Sequence, residues 1–299
     1  MKFDKNTYRK IVGIVCVIVS LILSFTYYLK DRFGDNTDPL KYDYVNGNYV
    51  EFIDVGQGDC TLIASKGKYC LIDTGPADGY KNIRKELKDK GIKNIDLIII
   101  SHYHADHTGS LQSIVNNFNV ANLIFPPEYP DTNVSNDVLY AKKECIAEDG
   151  EFYFAKTGQT ITIGDFKLTI LYQTGDLSEE NNRSLYVMAK IDDKKFLFTG
   201  DGESAEESKL LNENYDLDCD VLKVAHHGGR TSSTQEFLKQ CTPKYSVISC
   251  AKKNQYNHPH KETIKRLRNI KSKVYNTKDR GNITFIYNDS YQLNVSTQK

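Results

Sequence analysis

Apolar and polar positions divide this chain into two unequal parts. Residues 11–29 carry no charged side chain and read as valine, isoleucine and leucine, with Cys16, Ser20, Ser24 and Thr26 interspersed. As a helix rising about 1.5 Å per residue, such a run spans about 28 Å, close to the thickness of a bilayer core. From residue 48 onward, short apolar runs rich in Ile, Val, Phe and Tyr alternate with amphipathic stretches. Strands are expected at 49–55, 60–65, 68–73, 95–101, 121–125, 151–155, 166–172, 184–191, 195–200, 220–225, 244–250, 273–276, 282–287 and 291–295. Helices are expected at 79–90, 108–118, 137–148, 203–214, 232–240 and 260–270. In the last of these Ile264, Leu267 and Ile270 share a face. Ser65-Lys66-Gly67-Lys68 reads as a hairpin turn. Early hairpins followed by strands alternating with helices predict an α/β domain over 48–299, two sheets covered by helices. The polar stretch 30–47 reads as a linker, and 126–150, opened by Pro126, Pro127 and Pro130, as a surface insertion with a helix.

Charge adds an orientation. The chain has 39 basic and 39 acidic residues, but residues 1–30 hold five basic and one acidic, leaving 34 basic and 38 acidic. A globally basic surface for nucleic acid is therefore excluded, and any such binding needs a local patch. The basic flank 1–10 is expected to stay cytoplasmic, with 11–29 as a single-pass anchor and Tyr27 and Tyr28 at its far interface. The bulk of the chain then lies outside the cytoplasm. The alternative is secretion after signal cleavage, for which Ser24-Phe25-Thr26 is a poor site. The seven cysteines are irregularly spaced without C-x-x-C, and a chain this long can bury a core without disulfides, so they do not decide the compartment.

Candidate chemistry lies in the histidines. All seven fall into three clusters: His102, His104 and His107; His226 and His227; His258 and His260. The first reads Ser101-His102-Tyr103-His104-Ala105-Asp106-His107, between an apolar strand and a helix. Three imidazoles and a carboxylate at this density point to metal binding. His102 and His104 can share one ion, and Asp106 and His107 can reach a second. His258 and His260 open a segment, 252–280, with ten basic and two acidic residues. A basic segment beside a metal site suits a phosphodiester. His258 could donate to a phosphate oxygen or protonate a leaving group; the alternative is a solvated basic helix. Asp54 and Asp59 read as structural acceptors in a glycine-rich loop, although Gln57 and Asp59 could also approach the ions.

The H-x-H-x-D-H run resembles the signature of the metallo-β-lactamase superfamily. The stretches Phe52-Ile53-Asp54-Val55-Gly56-Gln57-Gly58-Asp59, Asn181-Asn182-Arg183-Ser184-Leu185, Leu222-Lys223-Val224-Ala225-His226-His227-Gly228 and Asn257-His258-Pro259-His260 are similar to the corresponding domain of ComEC-type competence proteins. The resemblance covers roughly 48–296. It implies an αβ/βα four-layer sandwich with one or two metals between the sheets. It also implies that Asp73 supports the metal loop, that Asp201 bridges the ions, and that a late strand end supplies the last histidine. His226, directly ending the strand 220–225, is the expected ligand, with His227 as its supporting or substrate-binding neighbour. Gly229 stands where that family commonly has serine, and Ser110 where a second glycine is common. The multi-pass channel of the full competence proteins has no counterpart in the sequence, so transport does not carry over.

Many relatives of the superfamily take a further histidine ligand from the position of Asn181-Asn182. Here Asn182 or Asn181 could offer an amide oxygen, bind substrate together with Ser184, or simply turn the chain. An oxygen-richer site shifts preference from zinc toward manganese, with magnesium possible. The expected function is a membrane-anchored, two-metal phosphodiesterase acting on nucleic acid outside the cell, with Asp106, Asp201 and His258 catalytic. His102, His104, Asp106, His107, Asp201 and His226 would be its ligands, His227 and His260 their neighbours. A separate DNA-channel protein would be its partner if it serves DNA uptake. The rivals are a hydrolase of a lactone, lactam or envelope phosphodiester, and a metal- or DNA-binding module without turnover.

Overall fold

The computed structural model describes residues 43–172, 179–213, 215–288 and 290–299. The expected N-terminus 1–10, the anchor 11–29 and most of the linker lie outside these residues. Among the described residues no helix is long and apolar enough to cross a membrane. The compact unit runs Asp43–Lys299, so it starts before residue 48. Asp43 closes a turn by accepting the backbone N–H groups of Val45 and Asn46, and Val45 O accepts from Gly67, docking this turn on the first hairpin.

Two sheets face each other. The first has eight strands in the order Leu293–Thr297, Ile283–Tyr287, Asn48–Phe52, Thr61–Ser65, Lys68–Ile72, Leu97–Ile99, Asn122–Phe125 and Glu151–Phe154. Pairing is antiparallel up to Lys68–Ile72 and parallel beyond it. The second has seven strands in the order Lys273–Asn276, Tyr245–Ile248, Val221–Lys223, Lys194–Phe198, Tyr186–Ile191, Phe166–Tyr172 and Thr160–Ile163. Here the strands from Lys194–Phe198 to Lys273–Asn276 are parallel and the others antiparallel. Each sheet thus joins a meander to a parallel half, which needs helical crossovers.

The sequence explains the layers. Alternate residues of facing strands, among them Val50, Phe52, Ile63, Leu168, Val187, Phe196 and Phe285, form one core between the sheets. A second core packs Leu197, Leu222 and Ile248 of the second sheet against Leu210, Phe237, Leu238 and Leu267 of its helices. The helix Lys261–Asn269 buries Leu267 fully and packs Ile264 against the same cluster, as its apolar stripe requires. In the hairpin turn, Lys66 and Gly67 take φ of 50° and 73°, the two left-handed residues that a two-residue turn matching strand twist demands.

Several expectations are corrected. The strand 160–163 has four residues, three of them not fully buried, and no apolar run announced it. The helix expected at 108–118 is two short pieces, Ala105–Thr108 and Leu111–Val115, broken at Gly109 and Ser110. Residues 126–150 are not a surface insertion. They are the crossover between the parallel strands Asn122–Phe125 and Glu151–Phe154, and the helix Asn136–Ala147 buries Val138, Ala141 and Cys145. The six cysteines beyond residue 43 are free, buried thiols.

Phe285 sits at the centre of the inter-sheet core, with ring centroids 6.0 Å from Phe52, 6.1 Å from Phe196 and 5.4 Å from Tyr245. Phe285→Ala is expected to lower stability by about 3–5 kcal/mol, read from urea denaturation; a loss below about 1 kcal/mol would mean that the core collapses onto the gap. Glu207 is wholly buried and accepts the backbone N–H groups of Ser233 and Thr234. Burial pushes its carboxyl up from 4.5 to about 7, against those two hydrogen bonds. A raised folded-state pKa means the folded form holds the proton longer. The contribution is full below about pH 4.5 and lost as pH rises through about 7. Relative to Glu207→Gln, the wild-type denaturation midpoint should fall across that window, and parallel curves would refute the linkage.

Candidate metal centre

The site lies where the parallel halves of both sheets end. Asp73 and the loop starting at Ser101 follow strands Lys68–Ile72 and Leu97–Ile99 of the first sheet. Asp201 and the histidine pair follow Lys194–Phe198 and Val221–Lys223 of the second. Loops at strand ends can bring side chains from different layers together, which the alternating interior of a sheet cannot. Close approach is built in at Gly200, where φ is +49° and a Cβ would meet Ser184 Oγ at 2.8 Å and Ser101 Cβ at 2.9 Å.

Asp73 organises the first loop. Its Oδ1 accepts from Ser101 N at 2.7 Å, and its Oδ2 accepts from Ser101 Oγ and from His107 Nδ1, both at 2.8 Å. That fixes the His107 ring and leaves Nε2 facing Asp201 Oδ1 at 3.3 Å. His227 is held from the other side: its Nδ1 donates to Ser249 O at 3.0 Å. Its Nε2 then points at Asp106 Oδ2, 3.1 Å away, and at Asp201 Oδ2, 3.4 Å away. Asp106, His107, Asp201 and His227 each offer an atom within 4.8 Å of the others.

The choice between the paired histidines is therefore the reverse of the expectation. His227, buried, joins the carboxylates; His226 does not. Period-two alternation stops at Lys223, and both histidines adopt left-handed backbone, φ 51° and 52°. His226 turns outward instead. Its Nδ1 lies 3.0 Å from Glu203 Oε1, bent from a linear hydrogen bond, and its Nε2 lies 3.5 Å from Asn181 Nδ2.

His102 and His104 form a second pole beside this cluster. His102 is buried, its Nε2 lies 3.0 Å from His104 Nδ1, and its ring centroid lies 4.1 Å from that of His107. Two imidazole nitrogens sharing one ion, with bonds of about 2.0–2.1 Å, stand about 3 Å apart. Burial, then the charge on His107, holds His102 well below the usual imidazole range, so it is neutral, the state of a ligand.

Charge completes the test of fit. Burial opposes ionisation of Asp106 and Asp201, but the charged His107 and His227 outweigh it and hold both carboxyls below their ordinary range. Conversely, burial disfavours charge on His107 and His227, while Asp201 and its neighbouring carboxylates push both well above it. The cluster thus retains extra protons on its imidazoles to neutralise its acids. A divalent cation would replace those protons. His107 Nε2 and Asp201 Oδ1, 3.3 Å apart, are both buried and make no aligned hydrogen bond. The donor set fits one or two divalent ions.

The other expected residues divide. Asp59 faces His107 and His227, but Lys223 Nζ holds its Oδ2 at 2.5 Å in a fully buried ion pair. Asp54 stays in its own loop, accepting from Gly56 N and near Lys299 Nζ. Ser184 Oγ accepts from Asp201 N, and Asn182 Oδ1 from Glu203 N, both at 3.0 Å, so each supports a loop backbone. His260 Nδ1 accepts from Arg230 N. His258 stands beside the centre, its ring centroid 5.3 Å from His226 and 6.1 Å from His227, with Tyr256 stacked at 5.5 Å. Burial, then the histidines around it, push it down to about 4, so it is neutral. Lys223, Glu203 and the Ser249 carbonyl were not foreseen. Of these only Lys223 left a trace, a charge inside an apolar strand.

Comparison with known proteins agrees with this geometry. The metallo-beta-lactamase superfamily model matches residues 53–252, and the chain belongs to that superfamily. Within it, the chain is similar to competence proteins. ComE operon protein 3 of Bacillus subtilis is 30% identical over 258 residues, covering 80% of this chain and 33% of that protein. Recombination protein 2 of Haemophilus influenzae is 28% identical, covering 78% and 28%. Endoribonuclease ysh1 of Schizosaccharomyces pombe is 26% identical, covering 60% and 30%. The chain thus spans about a third of the length of these relatives. The crystal structure of the metallo-beta-lactamase fold protein YhfI from Bacillus subtilis superposes with a TM-score of 0.54 at 13% identity, over 80% of this chain and 99% of that one.

Lys223 tests the charge balance. Lys223→Met leaves Asp59 buried and unpaired and is expected to lower stability by about 3–5 kcal/mol. Adding Asp59→Asn should recover much of it in a double-mutant cycle. A single variant costing under about 1 kcal/mol would show that the pair carries no such weight.

Proposed function

We propose that this chain is a metal-dependent phosphodiesterase that cleaves nucleic acid, most directly DNA reaching it outside the cytoplasm. The observation that carries the reading is the pairing of the acid–imidazole centre with a cationic cleft. A cavity of about 570 Å³ is lined by Lys252, Lys253, Asn254, His258 and Lys278. His258 lines this cavity and stands beside the centre, and its Nδ1 is buried without a partner. Lactone and lactam substrates carry no repeated charge that would use three lysines. The nucleic-acid connection of the competence relatives and of the endoribonuclease supports the same substrate class.

When bound, a pair of divalent ions activates water as a nucleophile and offsets the charge growing on phosphoryl oxygens. The chain's own groups do the rest. Lys252, Lys253 and Lys278 attract and hold the strand's phosphates. Asp106 is partly open, its side chain 31% exposed, and His227 occupies one oxygen, so the other can accept the proton of the attacking water. Neutral His258 can donate a hydrogen bond through its N–H to a phosphoryl oxygen. Tyr256, half exposed and stacked on His258, offers a face to a base. The apolar segment 11–29 and its basic flank would hold the domain on the outer face of a membrane, and DNA uptake would require a separate channel protein.

Incubating the purified chain with labelled single- and double-stranded DNA, RNA, a simple phosphodiester and a lactone, each with Mn²⁺, Mg²⁺ or Zn²⁺, tests the reading. A nucleic acid should be cleaved, and Asp201→Asn should lose roughly a hundredfold or more. Turnover of the lactone alone, or a fully active Asp201→Asn protein, would sink it. Replacing Lys252, Lys253 and Lys278 by alanine should weaken binding. The slope of log affinity against log salt should also flatten, by about one unit for each phosphate no longer held.

A further inference from the structure

Lys142 carries a charge where the fold needs none. It sits on the buried face of the helix Asn136–Ala147, with Val138, Ala141 and Cys145. Its Nζ stands 4.5 Å from the ring centroid of Phe125, 5.1 Å from Phe154, 5.3 Å from Phe152 and 5.8 Å from Tyr103. A cation within about 6 Å of a ring face is attracted by its quadrupole. Four rings and the carboxylate of Glu128, with which it pairs, thus enclose one ammonium. An apolar side chain would fill the same gap without losing hydration. What the charge adds is direction, which non-directional apolar packing lacks.

That direction leads to the metal loop. Glu128 Oε1 accepts from Lys142 Nζ and lies 3.4 Å from Tyr103 Oη. Tyr103 Oη donates to Pro126 O at 2.8 Å, and its ring stacks on Phe125, planes 2° from parallel. Tyr103 is the residue between His102 and His104, whose facing nitrogens lie 3.0 Å apart. Its backbone N–H donates to Glu180 Oε1 at 3.1 Å. A second tie holds the same segment: Arg183 Nη2 donates to both oxygens of Asp131 at 2.8 Å, and its guanidinium lies 4.7 Å from the Tyr129 ring centroid. Residues 126–131 are thereby fastened both to the metal loop and to the turn Glu180–Arg183. Asp73 fixes the metal loop at Ser101 and His107; Tyr103 fixes its middle.

We infer that Tyr103 and Lys142 are positioning residues for the ion held by His102 and His104. Lys142 orients Glu128 and the Tyr103 ring, and Tyr103 pins the backbone from which both imidazoles project. Metal ligands must stay within about 0.5 Å of their working geometry, and a residue flanked by two of them moves both when it moves. The inference rests on the reading of the centre as a two-cation site and is independent of the substrate.

Mn²⁺ binding to the purified full chain tests this without any substrate. Ion content, the affinity of each ion and the urea midpoint of the metal-free protein would be measured for the wild type, Tyr103→Phe, Lys142→Met and the double variant. Tyr103→Phe keeps the stacked ring and loses only the hydroxyl; Lys142→Met keeps the cage filled. The wild type should bind two ions. Each single variant should keep the ion of Asp106, His107 and His227 and bind the other roughly tenfold more weakly. The double variant should be little weaker than either single one, because both act through Tyr103. Unchanged affinity in both single variants would overturn the positioning role, and additive losses would overturn the route from Lys142 through Tyr103. Equal weakening of both ions alongside a lowered urea midpoint marks a merely structural role and would overturn it too. A wild-type chain that binds fewer than two ions would overturn the two-cation reading and this inference with it.

Discussion

Buried negative charge at the seam between the sheets is the constraint on which this structure depends. Asp59, Asp73 and Asp201 are all but inaccessible, and Asp106 stands at their edge. Isolated carboxylates in such a place would be expelled or protonated. The fold neutralises each differently. Lys223 pairs with Asp59 from behind. Asp73 is absorbed by Ser101 and His107. Among the described residues, Asp106 and Asp201 have no such lysine or serine partner on their carboxylates and face imidazoles that can exchange protons for a cation. The charge of the site is therefore directed, with lysine- and serine-held acids at the back and imidazole-paired ones at the front.

That direction follows from topology. Parallel strands of both sheets end at the same edge, so each contributes a loop without a strand having to reverse. Antiparallel meanders complete the far halves of the sheets and contribute much of the inter-sheet core. The core and the site are therefore separable. Phe285 and its aromatic neighbours hold the sheets together, while Asp73, Ser101 and Ser184 hold the loops. Loops on rigid strand ends keep the precision that a cation site requires.

Much of this was legible in the residues. Dense imidazoles with a carboxylate after an apolar strand mark a metal loop, and alternating strands with amphipathic helices mark the layered α/β fold. The boundaries that failed did so for local reasons. Thr160–Ile163 hides because a half-exposed strand of Thr-Ile-Thr-Ile sits at a sheet edge. The crossover 126–150 looked like an insertion because three prolines open it, yet its helix is needed to return the chain in a parallel direction. Lys223 was concealed because a charge in an apolar strand has no meaning until its partner, far away in sequence, is placed beside it.

The histidine pair shows where sequence reading stops. A strand pattern assigns one of two neighbours to each face, and it selected His226. Two successive left-handed residues break that rule, and both rings are redirected by backbone geometry that no periodicity reports. Their surroundings differ: His227 Nδ1 donates to the Ser249 carbonyl, whereas His226 Nδ1 lies 3.0 Å from Glu203 Oε1. A carbonyl that takes the Nδ1 proton frees Nε2 for the acidic cluster. Two identical side chains, adjacent in the chain, thus face different surroundings, and only His227 joins the acidic cluster.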